Sequence, residues 1–329
     1  RKYGIESFLS TLRECGMTTF TRSAEDYGLS LILGGGECRL DEVVSAYASM
    51  SRAYSQGESD FPLSDKVALW HTFNAMSEVN RPDEIDWHVI RSAGRTAWKT
   101  GTSYGYRDGW ACGVTPAVAA GVWAGNASGV AAPGLIGART AGPVLFDILN
   151  LFPEKSWFSE PADNEGVLTP VCHQSGCIAG PYCEERDTLL IPRAGLRTET
   201  CPYHYRIDGN NIFRLPPAME WYYRQKHPEY GRKDRTETMP SGISPMEFIY
   251  PEGGSIITLP LQLDGSPGEM VFNLAHHDND ATVYWHLDNE YIGETRFIHQ
   301  YRMRPSPGPH SVTVVDNTGN TISVGFTIR

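Results

Sequence analysis

The sequence predicts a multidomain α+β protein of 329 residues, built in three parts. Residues 1–155 combine helical periodicity with short strands rich in Gly and Trp, which indicates an antiparallel sheet with helices. Residues 156–242 are dense in Pro, Cys and charge, and residues 243–329 alternate polar and apolar residues between turn signals. We therefore expect a helix-and-sheet domain, a disulfide-stapled connector and a C-terminal immunoglobulin-like β-sandwich.

Composition excludes some classes of function and selects none. The formal net charge is −11, with 40% apolar and 20% charged residues, as in ordinary soluble domains. An acidic chain repels nucleic acid and anionic lipid surfaces, so we expect no nucleic-acid partner. The sequence has no signal-peptide pattern and no apolar run of about 18 residues, the length needed to span a bilayer. Because it opens with Arg1 rather than Met, we expect a piece of a longer protein.

Four helices are predicted before residue 80. Each has apolar residues at helical spacing, and Gly16, Gly34 and Gly57 supply stops. Ser23 and Ser64 are expected caps. The predicted helices cover residues 5–12, 24–33, 40–54 and 65–76.

Three short strands follow, rich in Gly, Val, Ala and Trp, at residues 95–101, 109–115 and 118–125. Their tight connections predict an antiparallel meander, which a helix over residues 145–151 closes.

In the connector, only residues 218–226 have a helical pattern. Seven strands are expected from Phe248 to Arg329, with Trp285 facing the core and the polar run from His276 to Asp280 forming a turn rather than a metal loop.

The strand Arg95-Thr-Ala-Trp-Lys-Thr-Gly-Thr-Ser103 carries the candidate chemistry. Side chains alternate along a strand, so Thr100 and Thr102 share a face and can offer two hydroxyls to a carboxylate. Lys99, on the other face, supplies positive potential and hydrogen-bond donors. Gly101 lets a substrate backbone lie against the strand edge, and the Thr102 N–H is a natural oxyanion donor.

The tripeptide Lys-Thr-Gly alone is a weak signal, since ordinary residue frequencies place it in roughly a few per cent of chains this long. Its context is more specific, because it follows an apolar lead-in, precedes Thr-Ser and opens a Gly- and Trp-rich meander. In this setting it resembles the third motif of the serine acyl-transferases that react with β-lactams. Their other two motifs, Ser-x-x-Lys and Ser-x-Asn, do not occur in the 329 residues.

Nearly the whole chain resembles the bifunctional class A penicillin-binding proteins of the 1C type. The segments that carry this resemblance are Tyr27-Gly-Leu-Ser-Leu-Ile-Leu-Gly-Gly-Gly-Glu37, Ala97–Ser103, Arg107-Asp-Gly-Trp110, Gly134-Leu-Ile-Gly-Ala138, Leu145-Phe-Asp-Ile148, Val171-Cys-His-Gln-Ser-Gly176, Thr200-Cys-Pro-Tyr-His204, Glu220-Trp-Tyr-Tyr223, Tyr250-Pro-Glu-Gly253, Trp285-His-Leu-Asp288 and Pro307–Asp316.

The resemblance implies a periplasmic enzyme that has a membrane anchor, a glycosyltransferase domain and a D,D-transpeptidase domain. Its partners would be peptidoglycan stem peptides and β-lactams, with no cofactor. The family's order places Ser-x-x-Lys and Ser-x-Asn upstream of residue 1, so we expect this chain to lack the nucleophilic serine and to be inactive alone. Lys99, Thr100, Gly101, Thr102 and Ser103 carry over as substrate-binding residues. The alternative hypothesis is a non-catalytic module that binds the cell wall or a cell-wall protein through its C-terminal domain.

Four of the seven cysteines cluster in the connector: Cys172, Cys177, Cys183 and Cys201. Four cysteines allow three pairings, and the sequence does not choose among them. A zinc site that includes His173 or His204 is the alternative. Because the spacings lack a C-x2-C clip and a periplasmic setting favours oxidation, we expect disulfides, with Cys183–Cys201 as the favoured pair, and no metal. Cys38, Cys112 and Cys177 depart from the family's pattern.

Overall fold

A computed structural model of the chain describes residues 3–57, 60–78, 94–152, 156–207, 209–228, 230, 244–259 and 268–329. The chain divides into two compact units. The first comprises Arg1–Pro170 and Thr188–Thr198, and the second Val171–Asp187 and Glu199–Arg329. The predicted boundaries after residues 155 and 242 fall at residues outside the described ones, so the three-domain division stays a prediction.

Four of the first unit's helices precede its sheet: α1 (Ile5–Glu14), α2 (Ala24–Tyr27), α3 (Leu40–Gln56) and α4 (Lys66–Ser77). Ser23 caps α2 in a capping box with Asp26, as expected from a Ser at this position. The predicted helix over residues 24–33 is α-helical only to Tyr27, because Gly28 adopts a φ of +58° and the chain continues as a 3₁₀ helix over Gly28–Leu33. The cap of α4 is Asp65 rather than Ser64, since Asp65 accepts the Ala68 N–H at 2.9 Å.

The predicted meander is confirmed. Its strands are β1 (Ala97–Thr102), β2 (Asp108–Val114) and β3 (Ala119–Gly125), which pair antiparallel in the order β1-β2-β3. Helix α5 (Gly137–Asn150) begins eight positions before residue 145, where the predicted helix begins. The helix includes Pro143, which disfavours helical structure, but its apolar residues pack on the sheet and stabilise the longer helix.

Helices cover both faces of this sheet. On one face, buried Trp98 of β1 and Ala111 of β2 pack with Leu145 of α5. On the other, Ala97 and Val114 join a cluster formed with α3 and α4, whose buried members include Ala53, Tyr54, Leu69, Phe73 and Phe158. The resulting three-layer arrangement fixes β1 from both sides.

Short elements follow α5 along the chain: the strands β4 (Val167–Cys172), β5 (Arg186–Ile191), β6 (His204–Ile207) and β7 (Asn210–Phe213), and the helix α6 (Pro217–Lys226). The strands pair as β4-β5 and β6-β7. Helix α6 confirms the predicted helix over residues 218–226.

The expected disulfide staple is wrong. Cys172, Cys177, Cys183 and Cys201 are all free thiols, as are Cys15, Cys38 and Cys112. The favoured pair Cys183–Cys201 has two further neighbours. The Cys172 sulfur and a ring nitrogen of His204 lie within 4.8 Å of both of its sulfurs. A disulfide joins two sulfurs and would leave the third thiol of this group buried without a covalent partner.

Within the second unit, residues 246–328 form two β-sheets that pack around one hydrophobic core, as in a β-sandwich. The described residues here form eight strands rather than the seven predicted: β8 (Met246–Tyr250), β9 (Ile256–Ile257), β10 (Met270–His276), β11 (Thr282–Leu287), β12 (Glu290–Arg296), β13 (His299–Met303), β14 (Gly308–Asp316) and β15 (Thr321–Ile328). One sheet has the order β13-β10-β8 and the other β12-β11-β14-β15-β9. Trp285 is fully buried between them, as predicted, and stacks with Phe272 at a centroid distance of 6.1 Å.

None of the helices in the described residues combines the length and the apolar composition that a membrane span requires.

Candidate functional site

Strand β1 presents an open edge. In the described part of the chain, β1 pairs with β2 alone. The Ser103 N–H donates to the Asp108 carbonyl at 2.9 Å, and hydrogen-bonded and non-hydrogen-bonded positions alternate along an antiparallel pair. The N–H and C=O groups of Thr100 and Thr102 therefore point away from β2. This edge has backbone donors and acceptors for an added extended segment.

Three of the predicted substrate-binding residues meet at this edge. The Lys99 ammonium donates to the Thr100 carbonyl at 2.7 Å, so its charge lies beside the edge. Lys99 and Thr102 are exposed, and Thr100 is half-buried. The arrangement combines a positive charge, a hydroxyl and a free N–H within one strand, as binding of a carboxylate and a developing oxyanion requires.

The side chains of β1 alternate as predicted. Thr100 and Thr102 share their face with the buried Trp98, toward α5, while Lys99 and Gly101 lie on the opposite face. The Thr102 hydroxyl accepts the Gly137 N–H at 3.0 Å, so one of its lone pairs is occupied and its proton remains available for donation.

Ser103 has a structural contact in the hairpin that follows β1. Its hydroxyl accepts the Asp108 N–H at 2.8 Å, and its carbonyl accepts the Tyr106 N–H at 3.2 Å. These bonds close the β1–β2 turn, in which Tyr106 has a positive φ of 57°. Ser103 is thus the residue of the predicted set with the clearest role in the fold.

A second cluster of reactive side chains lies in the connector, within the second unit. Cys172, Cys183, Cys201 and His204 each contribute one ligand atom, and these four atoms lie within 4.8 Å of one another. The His204 Nδ1 atom is 3.7 Å from the Cys172 sulfur, 3.4 Å from that of Cys183 and 3.3 Å from that of Cys201. The three cysteines are buried, which brings three sulfurs and one imidazole nitrogen to a common point away from solvent.

The surroundings of this cluster set the protonation of its members. Burial raises the pKa of the Cys183 thiol to about 11, so a thiolate there requires a nearby cation. Burial acts to raise the pKa of the Cys172 thiol, but hydrogen bonds with Ser175 lower it by more, so the net pKa of Cys172 is lowered. Burial lowers the pKa of His204, which keeps its ring neutral.

The sequence favoured disulfides over a metal at these cysteines, although it contained one signal for a ligand pair. Cys201 and His204 are separated by two residues, a spacing that forms a ligand pair in the same way as a C-x2-C clip. The other two ligands come from positions 172 and 183, whose proximity depends on the fold. Of the two histidines considered, His204 joins the cluster, whereas exposed His173 has its Nδ1 atom 2.8 Å from an Asp187 carboxylate oxygen.

Two comparisons show which known proteins the chain is similar to. Residues 236–326 match the family described as the Penicillin-Binding Protein C-terminus Family. More specifically, the chain is 25% identical over 385 residues to penicillin-binding protein 1C of Escherichia coli strain K12, covering 99% of this chain and 47% of that protein. The two matches confirm the resemblance to the C-terminal portion of a penicillin-binding protein of the 1C type. The chain spans about half the length of this curated relative.

Among solved structures, the chain is similar to the fibronectin(III)-like modules of Clostridium thermocellum CbhA. That match has 15% identity and a TM-score of 0.20, and it covers 26% of this chain and 95% of that chain. So low a score assigns no fold class to the C-terminal sandwich, and its immunoglobulin-like character stays a prediction.

Proposed function

We propose that the chain is part of a periplasmic penicillin-binding protein in which β1 binds the carboxylate of a peptidoglycan stem peptide, or of a β-lactam in its place. The observation that carries this proposal is the open edge of β1, where the Lys99 ammonium, the Thr102 N–H and the Thr102 hydroxyl are accessible together. The match to a relative named penicillin-binding protein 1C supports the same class of ligand.

In the full-length parent, a serine from a Ser-x-x-Lys motif would attack the carbonyl carbon of a D-Ala-D-Ala donor. The serine oxygen forms an ester with that carbon, and the terminal D-Ala leaves with the proton. An amine on a neighbouring stem peptide then takes the acyl group and frees the serine. The Thr102 N–H would stabilise the oxyanion in both steps, and loss of one such donor typically costs about 2.7–4 kcal/mol of transition-state stabilisation.

The remaining features of the parent follow from the same proposal. It would also have a glycosyltransferase domain and a tether to the inner membrane. Neither Ser-x-x-Lys nor Ser-x-Asn occurs in the 329 residues, so this chain alone would not form an acyl-enzyme.

The test of the proposal is labelling of the full-length parent by a fluorescent penicillin. Lys99→Ala should reduce the acylation rate by roughly 100-fold or more, because it removes charge beside the oxyanion and carboxylate. Lys66→Ala is the matched control, since Lys66 at the beginning of α4 forms a partly exposed ion pair with Glu165, and such pairs contribute only about 0–1 kcal/mol to stability. Equal labelling of the two variants would contradict the role of Lys99.

The chain itself provides an independent measurement. Intact mass after incubation with the same penicillin should reveal no covalent adduct. A stoichiometric adduct would mean that a serine within the 329 residues performs the acylation, and the proposed division of the active site would be wrong.

A further inference from the structure

We propose that Cys172, Cys183, Cys201 and His204 bind one Zn²⁺ ion as a closed structural site. A tetrahedral zinc with bonds of about 2.3 Å to sulfur and about 2.0–2.1 Å to nitrogen separates its ligands by about 3.6 Å for S···N and about 3.8 Å for S···S. The three S···N distances of 3.7, 3.4 and 3.3 Å agree with that geometry. All pairs of ligand atoms lie within 4.8 Å, so metal binding would draw the sulfurs together by about 1 Å or less.

The contacts around His204 orient it as a ligand. Its Nε2 atom lies 2.8 Å from the Gln174 amide oxygen, which can only accept a hydrogen bond. The ring proton is therefore on Nε2, and the Nδ1 lone pair points to the three sulfurs. Metal-binding histidines commonly have such an outer partner, which fixes the tautomer and the ring orientation.

The sulfurs also have donors from the surrounding loop. The Gly180 N–H donates to the Cys183 sulfur at 3.2 Å, and the Ser175 hydroxyl donates to the Cys201 sulfur at 3.3 Å. Three thiolates and Zn²⁺ leave a net charge of −1, and the Arg186 guanidinium lies close by, donating to the Cys183 carbonyl at 2.6 Å and to the Gly180 carbonyl at 3.2 Å. The loop thus stabilises a negatively charged cluster.

The choice of metal follows from the donor set. Three thiolates and one imidazole in a tetrahedral arrangement form one of the common structural zinc sites. Four protein ligands leave no open position for water or substrate, so the site is structural and not catalytic. Hard cations such as Ca²⁺ and Mg²⁺ select oxygen ligands, which are absent from this group of four residues.

A bound metal would stabilise this segment of the fold, which has a small hydrophobic core. Among the described residues, the hydrophobic cluster in this segment consists of the three ligand cysteines, with Cys177, Ala179 and Tyr203 packed against them. The backbone here is held by isolated bridges, Val171 to Ile178 and Ile178 to Thr200. So small a core stabilises little by burial, and in small domains a metal commonly supplies the missing stability.

Cys177 provides a matched control. It is half-buried, and its sulfur points to the Ser175 carbonyl at 3.9 Å instead of joining the cluster. Removing its thiol should leave the metal in place, whereas removing a ligand thiol should release it.

The experiment is metal analysis of the 329-residue chain, produced with zinc in the medium and without a histidine tag, by inductively coupled plasma mass spectrometry. We expect one zinc per chain in the unmodified protein and in Cys177→Ser, and loss of zinc in Cys183→Ser. Gln174→Ala keeps all four ligands, so it should fold and bind zinc roughly 10–100-fold more weakly in competition with a chromophoric chelator.

Several results would overturn the proposal. One is a disulfide between any two of Cys172, Cys183 and Cys201 in non-reducing peptide mapping. Others are iron in place of zinc, no zinc in the unmodified chain, or full zinc content in Cys183→Ser. If Cys183→Ser is insoluble, the zinc affinity of Gln174→Ala tests the proposal instead. An affinity equal to that of the unmodified chain would contradict the site. Zinc content is independent of penicillin labelling, so this proposal and the proposed function can fail separately.

Discussion

The Thr102 hydroxyl accepts a hydrogen bond from the Gly137 backbone N–H at 3.0 Å. This bond joins the end of β1 to the beginning of α5, two elements whose sequence positions are 35 residues apart. Gly137 is also in close contact with the strands, because a Cβ atom there would lie 2.2 Å from the Gly101 carbonyl oxygen and 2.6 Å from that of Trp110. The candidate substrate-binding strand thus depends on a glycine outside its own motif.

Gly137→Ala should therefore destabilise the first unit. A methyl group 2.2 Å from a backbone oxygen forces α5 and β1 apart, and overpacking of this kind typically costs about 1–3 kcal/mol. The measurement is urea unfolding at constant temperature. Gly253→Ala is the control, since its added Cβ meets only Val324 Cγ2 at 3.6 Å, and an equal loss of stability in both variants would contradict the steric explanation.

Gly101→Ala separates binding from folding at the same site. An added Cβ would meet only the Trp110 Cβ at 3.6 Å, an ordinary contact, so the free energy of unfolding should change by less than about 1 kcal/mol. In the full-length parent the same methyl group would hold a substrate backbone away from β1, and penicillin labelling should slow by roughly 10–100-fold. Normal labelling would argue against the strand edge as the binding surface.

The sequence predicted β1, β2 and β3 correctly, because short Gly- and Trp-rich runs with tight turns have few alternative pairings. It also predicted the burial of Trp285, since period-two alternation allows only one of two neighbouring aromatic residues to face the core. The beginning of α5 was missed for a physical reason. Gly137, Gly142 and Pro143 all have poor helix propensity, and packing on the sheet outweighs it.

The cysteine cluster could not be predicted from spacing. Cys172 and Cys183 are separated by ten intervening residues, and Cys201 by a further 17, so nothing local brings the sulfurs together. The bridges at Ile178 to Val171 and to Thr200 determine their proximity, and these form only in the folded chain. The expected oxidising compartment then favoured disulfides, whereas the structure has three free thiols beside His204.

Asp316 should make the stability of the sandwich depend on pH. Its side chain is buried between β14 and β15 and accepts hydrogen bonds from the backbone N–H groups of Thr318 and Asn320, at 2.9 and 2.8 Å. Although burial raises its pKa, these and further bonds lower it to about 2. The folded pKa lies below the unfolded value of about 3.9, so the stabilisation is complete above that value and is lost as the pH falls toward 2.

Asp316→Asn should consequently cost about 2.5 kcal/mol near neutral pH, since a shift of one pKa unit corresponds to about 1.4 kcal/mol. The difference from the unmodified chain should shrink as the pH falls below about 4. Urea unfolding across this range is the measurement. Asp280→Asn, at an exposed position in the same domain, should change the free energy of unfolding by less than about 0.5 kcal/mol, and a pH-independent loss in Asp316→Asn would indicate a packing effect instead.

Glu220 links α6 to the sandwich through a buried ionic contact. It is 1% exposed, and its carboxylate contacts both the Arg224 guanidinium on the same helix and the Nδ1 atom of His277. Arg224 also donates to the His277 carbonyl at 3.3 Å. Removing the carboxylate would leave the half-buried Arg224 guanidinium, whose side chain is 29% exposed, without its anion, and loss of a hydrogen bond to a charged group typically costs about 1.5–3 kcal/mol.

We therefore expect Glu220→Ala to lower the free energy of unfolding of the second unit by that amount, measured by urea unfolding and by a fall in melting temperature. Gln225→Ala tests the same helix at an exposed position and should change stability by less than about 0.5 kcal/mol. Two further substitutions distinguish charge from volume: Glu220→Gln keeps the size and loses the charge, and Arg224→Met removes the cation. If the charge imbalance is the cause, the double variant Glu220→Gln, Arg224→Met should be more stable than Glu220→Gln alone. Additive losses in the double variant would mean that packing, and not charge, holds α6 in place.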